Sequence, residues 1–145
     1  MSDTNVQFAS SLTGAAVCPA RAKPTILVAE DSLDGREMMH TLLRLKGYDV
    51  VGADNGVQAI EVALANAPDL ILLDLELPRL DGINVARHIR RNAKLKHVPI
   101  IILSGHDPSS HREATIEAGC SDYLMKPIDF DLLDAILKHN VPLEG

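Results

Sequence analysis

Four short stretches of this chain are apolar or nearly so, and each stops on a charged or hydroxyl residue. Thr25-Ile26-Leu27-Val28-Ala29 runs into Glu30-Asp31, Leu70-Ile71-Leu72-Leu73 into Asp74, Pro99-Ile100-Ile101-Ile102-Leu103 into Ser104, and Asp122-Tyr123-Leu124-Met125 into Lys126. Short apolar runs without alternation are how parallel strands read when both faces are covered. A chain built this way must place helices on both sides of one sheet. Its polar strand ends must meet where the core gives way to solvent.

The segments between these runs supply the helices. Ser32 or Asp34 can cap a first helix, in which Met38, Leu42 and Leu45 share an inward face with Met39 and Leu43; Gly47 stops it. Asp49-Val50-Val51-Gly52-Ala53 is a weaker strand suited to a sheet edge. Asn55-Gly56 opens a second helix with Val57, Ile60, Ala63 and Leu64 inward. Asp81-Gly82 opens a third with Ile83, Ala86 and Ile89 inward and Arg87, Arg90 and Arg91 on a solvated face. Ser110 and Glu113 have capping-box spacing for a fourth helix ending at Gly119. Asp129 caps a last helix carrying Phe130, Leu133, Ile136 and Leu137. Strands alternating with helices imply parallel pairing through right-handed crossovers. The expected fold is α/β: a five-stranded, doubly wound parallel sheet with helices on both faces, its third and fourth strands interior.

Residues 1–23 show neither helical nor strand period and read as a disordered leader. Residues 24–140 form one domain and 141–145 a short tail. Hydrophobic residues make up 46% of the chain but aromatics only 3%, so the core is aliphatic. A formal charge of −6 argues against direct nucleic-acid binding, which wants a basic face. No apolar run spans a bilayer and no basic n-region precedes one, so a cytoplasmic protein is expected, without membrane attachment. Cys18 and Cys120 read as reduced thiols, Cys120 as a small turn residue with no redox role. The six histidines are scattered and lack zinc spacing; His106 and His111 read as surface residues.

Parallel strands bring all their carboxyl ends to one rim, where ligands of open α/β sheets bind. Glu30, Asp31, Asp74, Ser104 and Lys126 are therefore expected together. Two carboxylates about 4 Å apart repel by roughly 4 kcal/mol at an effective dielectric of 20. Three of them with one lysine invite a divalent cation. Oxygen ligands favour Mg²⁺, Mn²⁺ or Ca²⁺ over zinc, and room for water and phosphate favours Mg²⁺. A cation, a lysine and a hydroxyl around one aspartate suit phosphoryl transfer, with the aspartate as nucleophile.

In these pieces, from about Pro24 to His139, the chain resembles the receiver domain of bacterial two-component response regulators. They are Val28-Ala29-Glu30-Asp31, Leu72-Leu73-Asp74 with Pro78 and Asp81-Gly82, Ile102-Leu103-Ser104, and Ala118-Gly119 through Tyr123 to Lys126-Pro127. The resemblance implies the flavodoxin-like strand order 2-1-3-4-5, which the family shares. It implies that Asp74 is the phosphoacceptor. Mg²⁺ would be held by Asp31, Asp74 and the backbone carbonyl of Glu76, with Glu30 acting through water. Lys126 would contact the phosphoryl oxygens, Ser104 and Tyr123 would be a switch pair, and Lys126-Pro127 a cis turn. Glu30 stands where Asp is usual. Glu76 and His106 flank the pocket and could tune how long it stays phosphorylated, in a direction the sequence does not give.

The resemblance further implies a sensor histidine kinase or histidine phosphotransfer protein as donor and a downstream protein target. The protein would be a monomer or a weak phosphorylation-dependent homodimer, a switch rather than an enzyme. With little chain after Lys138, a stand-alone receiver is expected. Two rivals use the same residues. One is an aspartate-nucleophile phosphohydrolase of haloacid-dehalogenase type, which would want a second Asp where Glu76 stands. The other is a scaffold that binds without phosphorylation.

Overall fold

The computed structural model describes residues 23–143. The expected leader up to residue 22, with Cys18, and the last two residues lie outside the described residues. In chain order the elements are β1 (Thr25–Ala29), α1 (Leu33–Lys46), β2 (Asp49–Ala53), α2 (Gly56–Asn66), β3 (Leu70–Asp74), α3 (Gly82–Arg91), β4 (Ile100–Ser104), a 3₁₀ turn (Pro108–Ser110), α4 (Arg112–Glu117), β5 (Asp122–Met125) and α5 (Phe130–Asn140). All strand pairs are parallel, in the order β2-β1-β3-β4-β5. This is the expected five-stranded, doubly wound sheet. β3 and β4 lie inside it, buried along their whole length, and β2 is an edge.

Side chains alternate across the pleat, so each strand feeds two cores. Leu27, Ala29, Ile71, Leu73, Ile100 and Ile102 pack against Ala59 and Ala63 of α2 and Val85 and Ile89 of α3. Ile26, Val28, Leu70, Leu72, Ile101 and Leu103 pack against Met39 and Leu43 of α1 and Leu133 and Leu137 of α5. Two covered faces are why these strands read as unbroken apolar runs rather than alternating ones.

Local signals set most helix ends. Ser32 Oγ accepts from Gly35 N–H at 3.2 Å, and Asn55, Asp81 and Asp129 cap α2, α3 and α5 in the same way. Gly47, at φ 108°, closes α1 with its N–H on the carbonyls of Arg44 and Leu43, a left-handed position that favours glycine.

Four details differ from the sequence expectation. The inward stripe of α1 is narrower: Met39 and Leu43 are buried, Met38 is half exposed, and Leu45 is 82% exposed because two residues turn it about 200° from Leu43. In α2, Leu64 is out and Ala59 in. The α4 capping box does not form. Asp107 takes the Ser109 N–H on its carboxylate and the Ser110 hydroxyl on its carbonyl, which winds a 3₁₀ turn and delays α4 to Arg112. Arg90 does not belong to a solvated face. Its Nε donates to the carbonyl of Gly119 at 2.9 Å and its Nη1 to that of Lys96 at 3.2 Å. Arg90 thereby pins α3 to the loop before β5. Next to it, burial pushes the Cys120 thiol up to about 11, which keeps it neutral.

The loop after β3 is held by close backbone approach. A Cβ on Gly56 would lie 1.8 Å from the Leu80 carbonyl oxygen, and one on Gly82 would lie 2.5 Å from that of Asp74. Gly105 has nothing within 4 Å of that position. Gly56→Ala is therefore expected to cost about 1–3 kcal/mol or more in urea unfolding, and Gly105→Ala to stay within about 0.5 kcal/mol of wild type. Equal stabilities for the two variants would show that the Gly56 approach does not constrain the fold.

Candidate functional site

The sheet ladder continues one residue past β1, β3 and β5 and so fixes the polar residues at their ends. Glu30 N–H donates to the Ala53 carbonyl at 3.0 Å, Leu75 N–H to that of Leu103 at 2.8 Å, and Lys126 N–H to that of Ser104 at 2.6 Å. These bonds hold Glu30, Asp74, Ser104 and Lys126 at one rim, as the sequence led one to expect.

Lys126 Nζ lies 3.0 Å from Asp74 Oδ2 and 3.0 Å from Glu30 Oε2. Both carboxylates are buried, while the lysine side chain is 35% exposed. Burial alone would lower the lysine pKa. Hydrogen bonds and charge attraction from Asp74 and Glu30 outweigh it, and the net shift is upward. The other carboxylate oxygens are also engaged. Asp74 Oδ1 accepts from Glu76 N–H at 3.1 Å and Glu30 Oε1 from Ser32 N–H at 3.2 Å.

Oxygens of Glu30, Asp31 and Asp74 lie within 4.8 Å of one another. Asp31 is exposed and faces solvent beside its two buried partners. Three carboxylates against one ammonium leave an excess of negative charge, and a set made only of oxygens suits a hard divalent cation. These residues therefore fit Mg²⁺.

Ser104 is 1% exposed, and its Oγ accepts from His106 N–H at 3.0 Å. Tyr123 is half-buried, and its hydroxyl donates to the His106 carbonyl at 3.2 Å. The Lys126–Pro127 peptide is cis. Two connections have no signature in the sequence. Glu76 Oε2 and His106 Nε2 are in hydrogen-bond contact, and Arg36 Nη1 donates to the Glu30 carbonyl at 2.8 Å. Thirty residues separate Glu76 from His106, and no local pattern links them. Beside Lys126 an apolar groove of about 400 Å³ opens between α1 and α5, lined by Met38, Met39, Leu103, Ile128 and Phe130.

A doubly wound sheet with an acidic cluster and a lysine at its carboxyl rim is the arrangement of a receiver domain. The family model "Response regulator receiver domain" matches residues 26–138, and the chain belongs to that family. It is 38% identical over 124 residues to response regulator MprA of Mycobacterium sp. (strain KMS), covering 83% of this chain and 53% of that protein. The chain thus spans about half the length of the curated relatives it matches. Among solved structures it is similar to the chemotaxis protein CheY4 of Vibrio cholerae, with a TM-score of 0.78 and 25% identity, covering 83% of this chain and all of that one. It is also similar to the receiver domain of sensor histidine kinase PA1611 from Pseudomonas aeruginosa PAO1, with a TM-score of 0.76 and 35% identity. That match covers 84% of this chain and 100% of the other, whose structure has a magnesium ion coordinated in the active site cleft. The family acts in signalling. No helix among the described residues is long and apolar enough to cross a membrane.

The bridge dictates a pH dependence. The folded-state pKa of Lys126 lies above its unfolded value of about 10.4, so its contribution is complete below that pH and lost as pH rises through the folded value. Lys126→Met leaves two buried carboxylates without a cation. It is expected to cost about 1–3 kcal/mol at pH 7, less than a fully buried pair because the ammonium is partly solvated. Urea titrations of both proteins at pH 7 and pH 11 check this. The gap should narrow at the higher pH, and a gap that widens contradicts the bridge.

Proposed function

We propose that this receiver is a phosphoacceptor switch in which Asp74 takes a phosphoryl group from a phosphohistidine on a sensor histidine kinase or histidine phosphotransfer protein. The observation that supports this most is Lys126 Nζ at 3.0 Å from Asp74, inside an acidic cluster that fits a divalent cation. In the transfer, Asp74 Oδ forms a bond to phosphorus as the donor P–N bond breaks, and the imidazole leaves with the electron pair. Lys126 turns its ammonium from the carboxylate to the phosphoryl oxygens, and Ser104 Oγ donates to one of them.

Mg²⁺ would be held by Asp31, Asp74 and the Glu76 backbone carbonyl, with Glu30 behind a water. It would neutralise charge on the phosphoryl oxygens. Glu30 also anchors the other side of Lys126 and so keeps the ammonium at the rim while Asp74 reacts. The apolar groove beside Lys126 offers contact area to the donor protein.

Phosphorylation changes the charge at Asp74 from about −1 to about −2. Once Ser104 is drawn to the phosphoryl group, its bond to His106 N–H weakens, and Tyr123, which holds the His106 carbonyl, is free to turn inward. The α4–β5–α5 surface then favours a different downstream protein, by a population shift limited by that partner's preference. The switch works in the cytoplasm as a monomer or a weak phosphorylation-dependent dimer, without nucleic acid or membrane contact of its own. A phosphohydrolase would need a free acid two residues after Asp74, and the Glu76 carboxylate is engaged with His106 instead.

With Mg²⁺ and a small phosphodonor, wild type is expected to incorporate one acid-stable, base-labile phosphate, while Asp74→Asn and chelator-treated protein incorporate at most a tenth as much. Phosphate-affinity electrophoresis measures this. Equal incorporation by Asp74→Asn would move the acceptor elsewhere.

A further inference from the structure

Five of the chain's 14 lysines and arginines fall in residues 82–106, and none of its 20 aspartates and glutamates does. An acidic chain thus carries one wholly basic segment, and the fold concentrates it. After α3, the Asn92 side chain accepts the Lys94 N–H at 2.9 Å and its carbonyl the Leu95 N–H at 3.0 Å, which turns the chain back toward β4. Leu95 and Val98 enter the core, and Lys94, Lys96 and His97 are left exposed. Arg90 braces this turn through the carbonyls of Leu95, Lys96 and Gly119.

Two of the five cations are engaged: Arg90 by those carbonyls and Arg87 by Glu117 at 2.8 Å. Arg91, Lys94 and Lys96 are exposed and form no ion pair with a described residue. On the strands flanking β4 the acids have other partners. Asp69, before β3, accepts the Thr25 N–H on its carboxylate at 2.8 Å, and Asp122 of β5 that of Tyr123 at 2.8 Å. The α3 macrodipole favours Arg91 in the last turn, but Lys94 and Lys96 lie beyond the helix, where that field fades. All three cations stand at the amino end of β4, about 13 Å from the rim at Ser104.

We propose that Arg91, Lys94 and Lys96 form a docking surface for an acidic segment of a partner protein, engaged whether or not the rim is phosphorylated. A polynucleotide would want a stacking platform, and no Phe, Tyr or Trp falls in residues 82–106. A membrane would want an apolar wedge, and none of the exposed large apolar side chains lies in that segment. An acidic peptide needs neither. It contacts the patch at short range, where a Debye length of about 8 Å screens the negative charge on the rest of the chain. The bracing by Arg90, Leu95 and Val98 holds the turn in place before binding, so little of it has to be ordered on contact.

The test follows amide shifts of the ¹⁵N-labelled full chain with three probes: hexaglutamate peptide, hexathymidylate DNA, and vesicles of phosphatidylserine and phosphatidylcholine. Hexaglutamate should bind best and shift amides within residues 87–98. Arg91→Gln/Lys94→Gln/Lys96→Gln should weaken it about tenfold, with the dispersion of the remaining amides unchanged. Arg44→Gln/Arg112→Gln, which removes two exposed cations elsewhere, should leave it unchanged. About 1 M salt, where the Debye length falls to about 3 Å, should abolish the shifts. Mg²⁺ with beryllofluoride should not alter the affinity. Absence of shifts with hexaglutamate, equal affinity in the triple variant, or shifts centred outside residues 87–98 would overturn the docking surface. Tighter binding of the DNA or the vesicles through the same residues would overturn the acidic segment as its occupant. An affinity changed by beryllofluoride would overturn its independence of the rim.

Discussion

The Lys126 ammonium lies between two buried carboxylates, and the rim is organised around it. Asp74 and Glu30 are both buried at the ends of interior strands, where solvent offers little compensation. Without a cation between them the two acids, with Asp31 beside them, would repel by several kcal/mol. With it, a carboxylate is accommodated in a place where a neutral side chain would be cheaper. A buried charge of this kind adds little to stability, and its retention points to chemistry rather than to folding.

The rest of the fold can be understood as the means of delivering those groups. A parallel sheet covered on both faces forces apolar residues along each strand and allows polar ones only where the strand ends. The ladder bonds of Glu30, Leu75 and Lys126 extend the sheet by one step and hold the polar residues in register. Gly56 and Gly82 let the loop after Asp74 lie against α2 and against the Asp74 carbonyl itself, closer than any side chain would allow. Packing and chemistry are thus separated along each strand: the same pairing that fills the two cores aims the site.

Much of this is legible in the chain because it depends on local pattern. The runs ending at Asp74 and Ser104 declare interior strands, and Ser32, Asn55, Asp81 and Asp129 declare caps. Convergence at the rim is a consequence of parallel pairing alone. The strand order is not, since periodicity says nothing about neighbours; it comes with the resemblance to receiver domains. Helix faces are narrower than hydrophobicity suggests at Leu45 and Leu64, because an apolar side chain need not be a buried one. Asp107 defeats the α4 capping box through a competing local hydrogen bond. The roles of Arg90 and of the Glu76–His106 pair depend on loops brought together across the sheet, which no window along the chain can contain.

The central claim is that the groups at the rim form one phosphoryl site centred on Asp74. A crystal structure of the protein with Mg²⁺ and beryllofluoride tests it most directly. The beryllofluoride is expected on an Asp74 oxygen, the cation among Asp31, Asp74 and the Glu76 carbonyl, and Lys126 and Ser104 on the fluorides. Beryllofluoride on another residue, or a cation bound without Asp31 and Asp74, would contradict it.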